Sequence, residues 1–236
     1  MAMNTYRIAD KVIQVRSLHS YVHEYFRDYA FAGTPDFVVE TSQADIDFER
    51  SKSDTEGYSP QYLESLAVYR KISEIMPMYS TFLMHGSCVS VDGKGCMFTA
   101  PSGTGKSTHS ALWCRLMGER AIMVNDDKPM IHITGNEAVI YGTPFMGKHN
   151  RGNNIHVPLK AICILERSES NHIHEISGDE AYITLLRQTY RPGNTMSLAK
   201  TLELLDCLKK LVKFYRLGCN MDIEAAEIAY STMKGE

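Results

Sequence analysis

The sequence lacks the features of several specialised protein classes. It contains no block of Lys or Arg, and its formal net charge of −3 with mixed signs argues against a nucleic-acid-binding surface. No apolar run approaches the roughly 20 residues of a membrane-spanning helix, and the first residues hold no apolar core of signal-peptide length. Internal repeats and low-complexity tracts are also absent. We therefore expect a cytoplasmic globular protein with neither nucleic acid nor a membrane as its partner.

Paired cysteines are missing too. The six cysteines are scattered without a C-x-x-C pair, and several lie inside apolar runs, where cysteine behaves as a small hydrophobic residue. This pattern predicts the reduced, buried thiols of a cytosolic protein.

Length and hydrophobic periodicity predict two regions. Residues 1–80 are expected to form an N-terminal α/β lobe packed on the core, and residues 81–236 the core with its C-terminal helices. The lobe should contain a helix over Leu18–Tyr29, and the core a helix over Ser197–Tyr215. Because the leucine stripe of the second helix suits either core packing or contact with another copy of the chain, a homo-oligomer stays open.

The stretch Cys96–His109 follows the order strand, glycine-rich loop, helix. It matches the P-loop (Walker A) pattern G-x-x-x-x-G-K-[ST] in a relaxed form, because Ala100 occupies the first position. In such a loop the backbone N–H groups and the N-terminus of the following helix bind phosphate oxygens. The predicted nucleotide-binding residues are Ser102, Gly103, Thr104, Gly105, Lys106, Ser107 and Thr108.

Four side chains have distinct expected roles in nucleotide chemistry. Lys106 should reach the β and γ phosphates of ATP, and the Ser107 hydroxyl should ligate Mg²⁺. Asp126 and Asp127 follow a predicted strand, where a Walker-B-like acid points back at the nucleotide metal. Two adjacent carboxylates let one hold Mg²⁺ while the other takes a proton from an acceptor hydroxyl. The simpler alternative is a turn that uses Asp for local capping.

Further candidates lie on either side of these motifs. His85 begins a predicted hairpin that leads into the loop, so antiparallel pairing would return it beside the phosphates, although a structural histidine fits the spacing equally well. Lys148, His149 and Arg151 lie in the Gly142–Asn154 loop. They would supply cations to the transferred phosphoryl group or to an anionic substrate, or else be solvated loop charges. Hairpins beside a P-loop predict an α/β (mixed α+β) fold with a mixed, partly antiparallel sheet.

Taken in order, His85-Gly86, the hairpin, the Ser102–Ser107 loop and the Asp126-Asp127 pair resemble the kinase core of bacterial HPr kinase/phosphorylase. That family belongs to a superfamily shared with phosphoenolpyruvate carboxykinase, and the resemblance covers about residues 82–166. It implies a core of that superfamily's fold, ATP and Mg²⁺ as cofactors, and a hydroxyl-bearing acceptor. By the same resemblance, one aspartate of the pair would be the general base and the other a metal ligand; we assign these roles to Asp126 and Asp127, respectively, although the residues alone leave the order open. His85 would act in catalysis or support the metal ligands.

One departure from that family keeps other functions open. The segment Ala100-Pro101-Ser102-Gly103 lacks the acidic residue of the enzyme's Gly-Asp-Ser-Gly, which is typical of a divergent branch. The leading hypothesis is a kinase that phosphorylates a protein or peptide serine, or a small molecule. The alternatives are a nucleotide-binding regulatory module without catalysis and an ATP-dependent activity like that of phosphoenolpyruvate carboxykinase.

Overall fold

The structure is a computed structural model that describes residues 2–53, 57–147 and 149–234. The chain divides into two units, Met1–Met76 and Pro77–Glu236. Among the described residues, no helix combines the length and the apolar character needed to cross a membrane.

The first unit is a three-stranded sheet with helices. Strand β1 (Ala2–Ile8) pairs antiparallel with β2 (Lys11–Ser17), and β2 pairs parallel with β3 (Phe37–Glu40). The two residues between β1 and β2 have positive φ angles, as the tightest hairpin turns require. The helices are α1 (Tyr21–Tyr25), α2 (Gln43–Lys52) and α3 (Pro60–Ile75).

The predicted helix over Leu18–Tyr29 is wrong at its start, because α1 begins at Tyr21. The buried carboxylate of Glu64 explains the difference. It accepts hydrogen bonds from the backbone N–H groups of Leu18, at 2.6 Å, and His19, at 2.9 Å, and these bonds hold the segment outside the helix. Strand β1 and helix α2 were not predicted from the sequence.

The second unit is built on a nine-stranded sheet, with β4-β8-β9-β10-β6-β5-β7 as its main path. Strand β12 pairs with β10, and β11 pairs with β12. The strands are β4 (Thr81–Leu83), β5 (Ser87–Val91), β6 (Lys94–Thr99), β7 (Ala121–Asn125), β8 (Met130–Thr134), β9 (Glu137–Tyr141), β10 (His156–Arg167), β11 (His172–Ile176) and β12 (Lys213–Cys219). The helices are α4 (Lys106–Met117), α5 (Gly178–Gln188), α6 (Thr195–Leu211) and α7 (Ile223–Met233). The mixed α/β fold with a partly antiparallel sheet is therefore confirmed.

Strand β10 is apolar in sequence because both of its faces are covered. Ile162 and Ile164 pack in a cluster with residues of α5 and α6, whereas Ala161, Cys163 and Leu165 pack in a second cluster with residues of α4 and α7. The alternation follows from the two-residue period of a strand. Burial on both faces explains the continuous apolar run.

Four strands of this sheet end at one edge. Strands β6, β10 and β12 run parallel, and β7 shares their direction because β5 pairs antiparallel with both β6 and β7. In open α/β sheets, ligands bind beyond the carboxyl ends of such strands. The residues that follow β6 and β7 are the glycine-rich loop and the Asp126-Asp127 pair, so the topology brings both motifs to this edge.

The predicted helix over Ser197–Tyr215 is wrong at its end. Helix α6 stops at Leu211, Val212 has extended backbone angles, and β12 begins at Lys213. The residues that follow Lys213 include Phe214 and Tyr215, which favour strands, and they pair with both β10 and β11. Within α6, the leucines Leu204, Leu205 and Leu208 are buried in the core cluster.

We expect Asp45 to stabilise the first unit in a pH-dependent way. Burial raises the pKa of this carboxyl, but hydrogen bonds from Lys71 and Ser42 outweigh burial and lower the pKa to about 2. The contribution of the Asp45 carboxylate to the free energy of unfolding is therefore present above the ordinary pKa near 4, and it is lost as the pH falls toward 2. At about 1.4 kcal/mol per pKa unit, Asp45→Asn should lower the free energy of unfolding at pH 7 by about 2 kcal/mol.

Urea unfolding followed by circular dichroism at pH 7, 4 and 2.5 would measure this effect. Asp47→Asn is the matched control, because Asp47 lies on the same helix and is more than half exposed. A gap between wild type and Asp45→Asn that does not shrink on acidification would contradict the prediction.

Candidate active site

The phosphate loop, Ala100–Gly105, connects β6 to α4. Gly103 and Gly105 have φ angles of +78° and +118°, in the left-handed region that favours glycine. Helix α4 begins at Lys106, and no side chain caps its N-terminus. The first N–H groups of a helix have no partner within the helix, so this end is suited to bind an anion.

Two cations hold the carbonyl groups of the phosphate loop. The Nζ of Lys106 donates to the carbonyl oxygens of Ala100, at 2.9 Å, and Pro101, at 3.1 Å. The guanidinium of Arg167, at the end of β10, donates to the carbonyl oxygen of Gly103 at 2.6 Å. These bonds occupy the carbonyl oxygens of Ala100, Pro101 and Gly103 with cations, whereas the Thr104 N–H donates to the carbonyl oxygen of Pro101 at 3.4 Å.

The acid pair, Asp126-Asp127, follows β7 in a turn that Asn125 organises. The side-chain oxygen of buried Asn125 accepts hydrogen bonds from the backbone N–H groups of Asp127, at 2.9 Å, and Lys128, at 2.7 Å. Its side-chain nitrogen donates to the carbonyl oxygen of Thr143 at 3.0 Å. Asn125 was not predicted as a site residue, although an Asn that ends a strand and precedes two Asp residues is a signal for such a turn.

A buried chain of hydroxyl groups joins Asp126 to α4. Ser110 donates to the hydroxyl of Ser87 at 2.6 Å, and Ser87 donates to the Asp126 carboxylate at 2.7 Å. Asp126 is only 6% exposed. The carboxylate of Asp126 is therefore held beside the helix that carries Lys106 and Ser107.

His85 and Asp127 form the second half of the site. The His85 Nε2 lies 3.4 Å from a carboxylate oxygen of Asp127, and Lys128 forms an ion pair with the same carboxylate. The other ring nitrogen of His85 lies 3.0 Å from the side-chain oxygen of Gln188 at the end of α5. Because that oxygen only accepts, His85 Nδ1 carries a proton and Nε2 faces Asp127.

Electrostatics link this histidine to the phosphate loop. Burial lowers the pKa of His85, the charge of Lys106 lowers it further, and the charge of Asp127 raises it. Burial likewise lowers the pKa of Lys106, while the charges of Asp127 and Asp126 raise it. The structure therefore brings His85, Lys106 and the two carboxylates of the acid pair into one electrostatic cluster.

The Gly142–Asn154 loop packs on the acid pair through its backbone. The N–H of Asp126 donates to the carbonyl oxygen of Arg151 at 3.0 Å. A Cβ on Gly142 would lie 1.9 Å from the carbonyl oxygen of Asn153, so only glycine allows this close approach. The side chains of His149 and Arg151 are exposed, and Lys148 lies outside the described residues. The predicted role of these three residues as phosphoryl or substrate cations stays a prediction.

Two cavities adjoin the phosphate loop on opposite faces of the sheet. The first, of about 380 Å³, is lined by Pro101 and Thr104 together with Arg187, Gln188 and Arg216, and lies on the α5 side. The second, of about 480 Å³, lies on the α4 and α7 side and is the larger of the two. Neither cavity was predicted from the sequence.

The donor set of the site suits a magnesium ion carried by a nucleotide. Asp126, Asp127 and Ser107 offer oxygen atoms, which Mg²⁺ prefers, and Mg²⁺ commonly combines one or two carboxylates with phosphates and water. Across the described part of the chain, no three His, Cys, Asp or Glu side chains are grouped to hold a metal ion by themselves. The residues therefore fit a shared ion better than a resident protein metal.

Comparisons with known proteins add a distant structural likeness. No protein-family model and no curated protein matches the chain. Among solved structures, the chain is similar to the Hpr(Ser) kinase/phosphatase from Coxiella burnetii, with a TM-score of 0.28 and 17% sequence identity. The match covers 54% of this chain and 92% of that chain. At these values we base neither the fold nor a function on it.

We expect Asn125→Ala to disrupt the turn that presents the acid pair. The change removes the acceptor of the backbone N–H groups of Asp127 and Lys128 and leaves both without this partner in a half-buried turn. At about 1–3 kcal/mol for a buried unsatisfied group, the loss in the free energy of unfolding should be about 2–4 kcal/mol.

Urea unfolding of the intact protein would measure this loss. Asn136→Ala is the matched control, because Asn136 lies in the exposed turn between β8 and β9. An equal, small loss in both variants would show that Asn125 does not organise the turn.

Proposed function

We propose that the chain is an ATP- and Mg²⁺-dependent kinase that transfers the γ-phosphoryl group to a hydroxyl acceptor. The observation that supports this most is the convergence of the phosphate loop, the acid pair and His85 at the carboxyl edge of one sheet. Phosphoryl transfer needs little covalent chemistry from a protein, but it needs positioned cations, a metal site and a base. The resemblance of the order of sequence motifs to that of HPr kinase/phosphorylase also supports a kinase.

The residues divide this work between them. The N–H groups of the phosphate loop and of the first turn of α4 bind the phosphate oxygens, and Lys106 leaves the loop carbonyls to neutralise the β and γ phosphates. Ser107 and Asp127 would hold the Mg²⁺ ion of the nucleotide. When bound, that ion would supply positive charge for the transferred group and the leaving phosphate.

Asp126 is assigned as the general base. Its carboxylate accepts one hydrogen bond, from Ser87, and carries no ion pair among the described contacts, so lone pairs remain for an acceptor hydroxyl. The carboxylate of Asp127 is instead paired with Lys128 and faces His85. As Asp126 takes the proton, the acceptor oxygen bonds to the γ phosphorus, the bond from that phosphorus to the bridging oxygen breaks, and ADP leaves.

Incubation with ATP labelled on the γ phosphate, Mg²⁺ and hydroxyl acceptors tests the proposal. The acceptors are free serine, serine-containing peptides and HPr. Wild type should transfer label to at least one of them. Asp126→Asn should lower the rate by about 10²-fold or more, as loss of a general base does.

Four further variants sharpen the assay. Lys106→Met should abolish transfer, and Asp127→Asn should raise the Mg²⁺ concentration required more than Asp126→Asn does. Asp179→Asn and Lys160→Met, both exposed positions away from the loop, are the matched controls and should behave as wild type.

The outcomes separate the proposed kinase from its alternatives. Equal transfer by wild type and Asp126→Asn would remove Asp126 as the base. ATP binding without transfer to any acceptor would favour a regulatory module. Phosphoenolpyruvate formation from oxaloacetate and ATP would favour the carboxykinase-like activity instead.

A further inference from the structure

The larger of the two cavities, about 480 Å³, adjoins the phosphate loop and the first turn of α4. One wall consists of Thr104, Gly105 and Thr108, which belong to the loop and the first turn of α4. The opposite wall includes Asn220 and Met221, in the turn between β12 and α7. The volume falls within the range of small-molecule sites. We name this space the α4 cavity.

Among the described residues, the acid pair does not line the α4 cavity. It follows β7, which β6 and β5 separate from β10 in the strand order. If the γ phosphate faces the acids, the opposite end of the phosphate chain points toward Thr108 and the α4 cavity. The smaller cavity is the more strongly charged of the two, because Arg187 and the ion-paired Arg216 and Glu166 line it, whereas Arg167 lines both cavities.

His109, a residue that lines the α4 cavity, carries an unpartnered buried group. His109 is only 2% exposed and lines the cavity. Its Nε2 accepts a hydrogen bond from the indole N–H of Trp113 at 3.1 Å. Because an indole nitrogen only donates, the proton of the neutral ring is on Nδ1. This Nδ1 has no hydrogen-bond partner within the described structure, which is rare for a buried polar group and calls for an explanation.

The mouth of the cavity carries an exposed apolar side chain. Met221 is 77% exposed, the largest exposure among the large hydrophobic residues described. A flexible, polarisable methionine is suited to cover a flat aromatic ring. The neighbouring Asn220 is occupied in the turn itself, since its side-chain oxygen accepts from the N–H of Asp222 at 3.0 Å. Met221 is therefore the side chain of this turn that is available to a ligand.

We propose that the α4 cavity binds the nucleoside half of the nucleotide, with His109 Nδ1–H donating to an acceptor atom of the nucleoside and Met221 covering the base. The proposal rests on the proposed function, because it takes the phosphates to be bound at the loop. It assigns His109 and Met221 as nucleoside-binding residues, which the P-loop pattern does not include.

Calorimetric titration with two Mg²⁺-loaded probes, ATP and inorganic tripolyphosphate, tests the proposal. Both probes offer three linked phosphates, but only ATP has a nucleoside. Wild type should bind ATP at least tenfold more tightly than tripolyphosphate. His109→Phe and Met221→Glu should each weaken ATP at least tenfold and change tripolyphosphate less than twofold, whereas Lys106→Met should weaken both probes.

Met196→Glu is the matched control, because Met196 is 67% exposed at the start of α6 and does not line the α4 cavity among its described residues. It should bind both probes as wild type does. Because His109 is buried, thermal unfolding first compares the stability of His109→Phe with that of wild type. Met221 is exposed, so Met221→Glu tests the proposal without a risk of destabilising the fold.

Fluorescence supplies an independent readout. Trp113 is the only tryptophan of the chain, and its indole N–H contacts His109. ATP should therefore change the tryptophan emission of wild type, and tripolyphosphate should leave it nearly unchanged.

The results distinguish the two proposals. Equal affinity of wild type for ATP and tripolyphosphate, or equal weakening of both probes by Met221→Glu, would overturn the nucleoside site and leave the phosphate site in place. Binding of neither probe would overturn the proposed function as well.

Discussion

The hydrogen-bond chain from Ser110 through Ser87 to Asp126 connects three elements that are distant along the sequence. Ser110 belongs to α4, Ser87 begins β5, and Asp126 follows β7. A buried carboxylate is costly unless its oxygens are hydrogen-bonded, so the chain both stabilises Asp126 and determines where it lies. The distance between the acid pair and the phosphate loop therefore depends on two serine hydroxyls in the interior.

Features with a local cause could be predicted from the sequence. The glycine spacing of the phosphate loop determines its backbone, the following helix begins at Lys106 as expected, and a short apolar, β-favouring run indicated the strand that precedes the loop. The adjacency of Asp126 and Asp127 was visible directly. In each case the residues that determine the conformation lie within a few positions of the feature.

Features with a distant cause could not be predicted. Gln188 contacts His85 across 103 residues of chain, and no local pattern indicates such a pair. Strand β12 follows a leucine-rich helix without a break in composition, and its conformation depends on pairing with β10 and β11. The predicted roles of Asp126, Asp127 and His85 in catalysis are a third case, since they depend on a bound nucleotide and stay predictions.

Lys106 donates two hydrogen bonds, to the carbonyl oxygens of Ala100 and Pro101, and these carbonyls occupy its ammonium group in the absence of a ligand. Because Lys106 is only 8% exposed, its ammonium group depends on these two hydrogen bonds in addition to the charges of Asp126 and Asp127. Under the proposed function, an arriving phosphate would replace these carbonyls, so its affinity would reflect an exchange of partners rather than a net gain of bonds. The exchange would run backward when product leaves, because the carbonyl oxygens can again accept hydrogen bonds from the ammonium group. The lysine would then have hydrogen-bond partners both with and without a ligand.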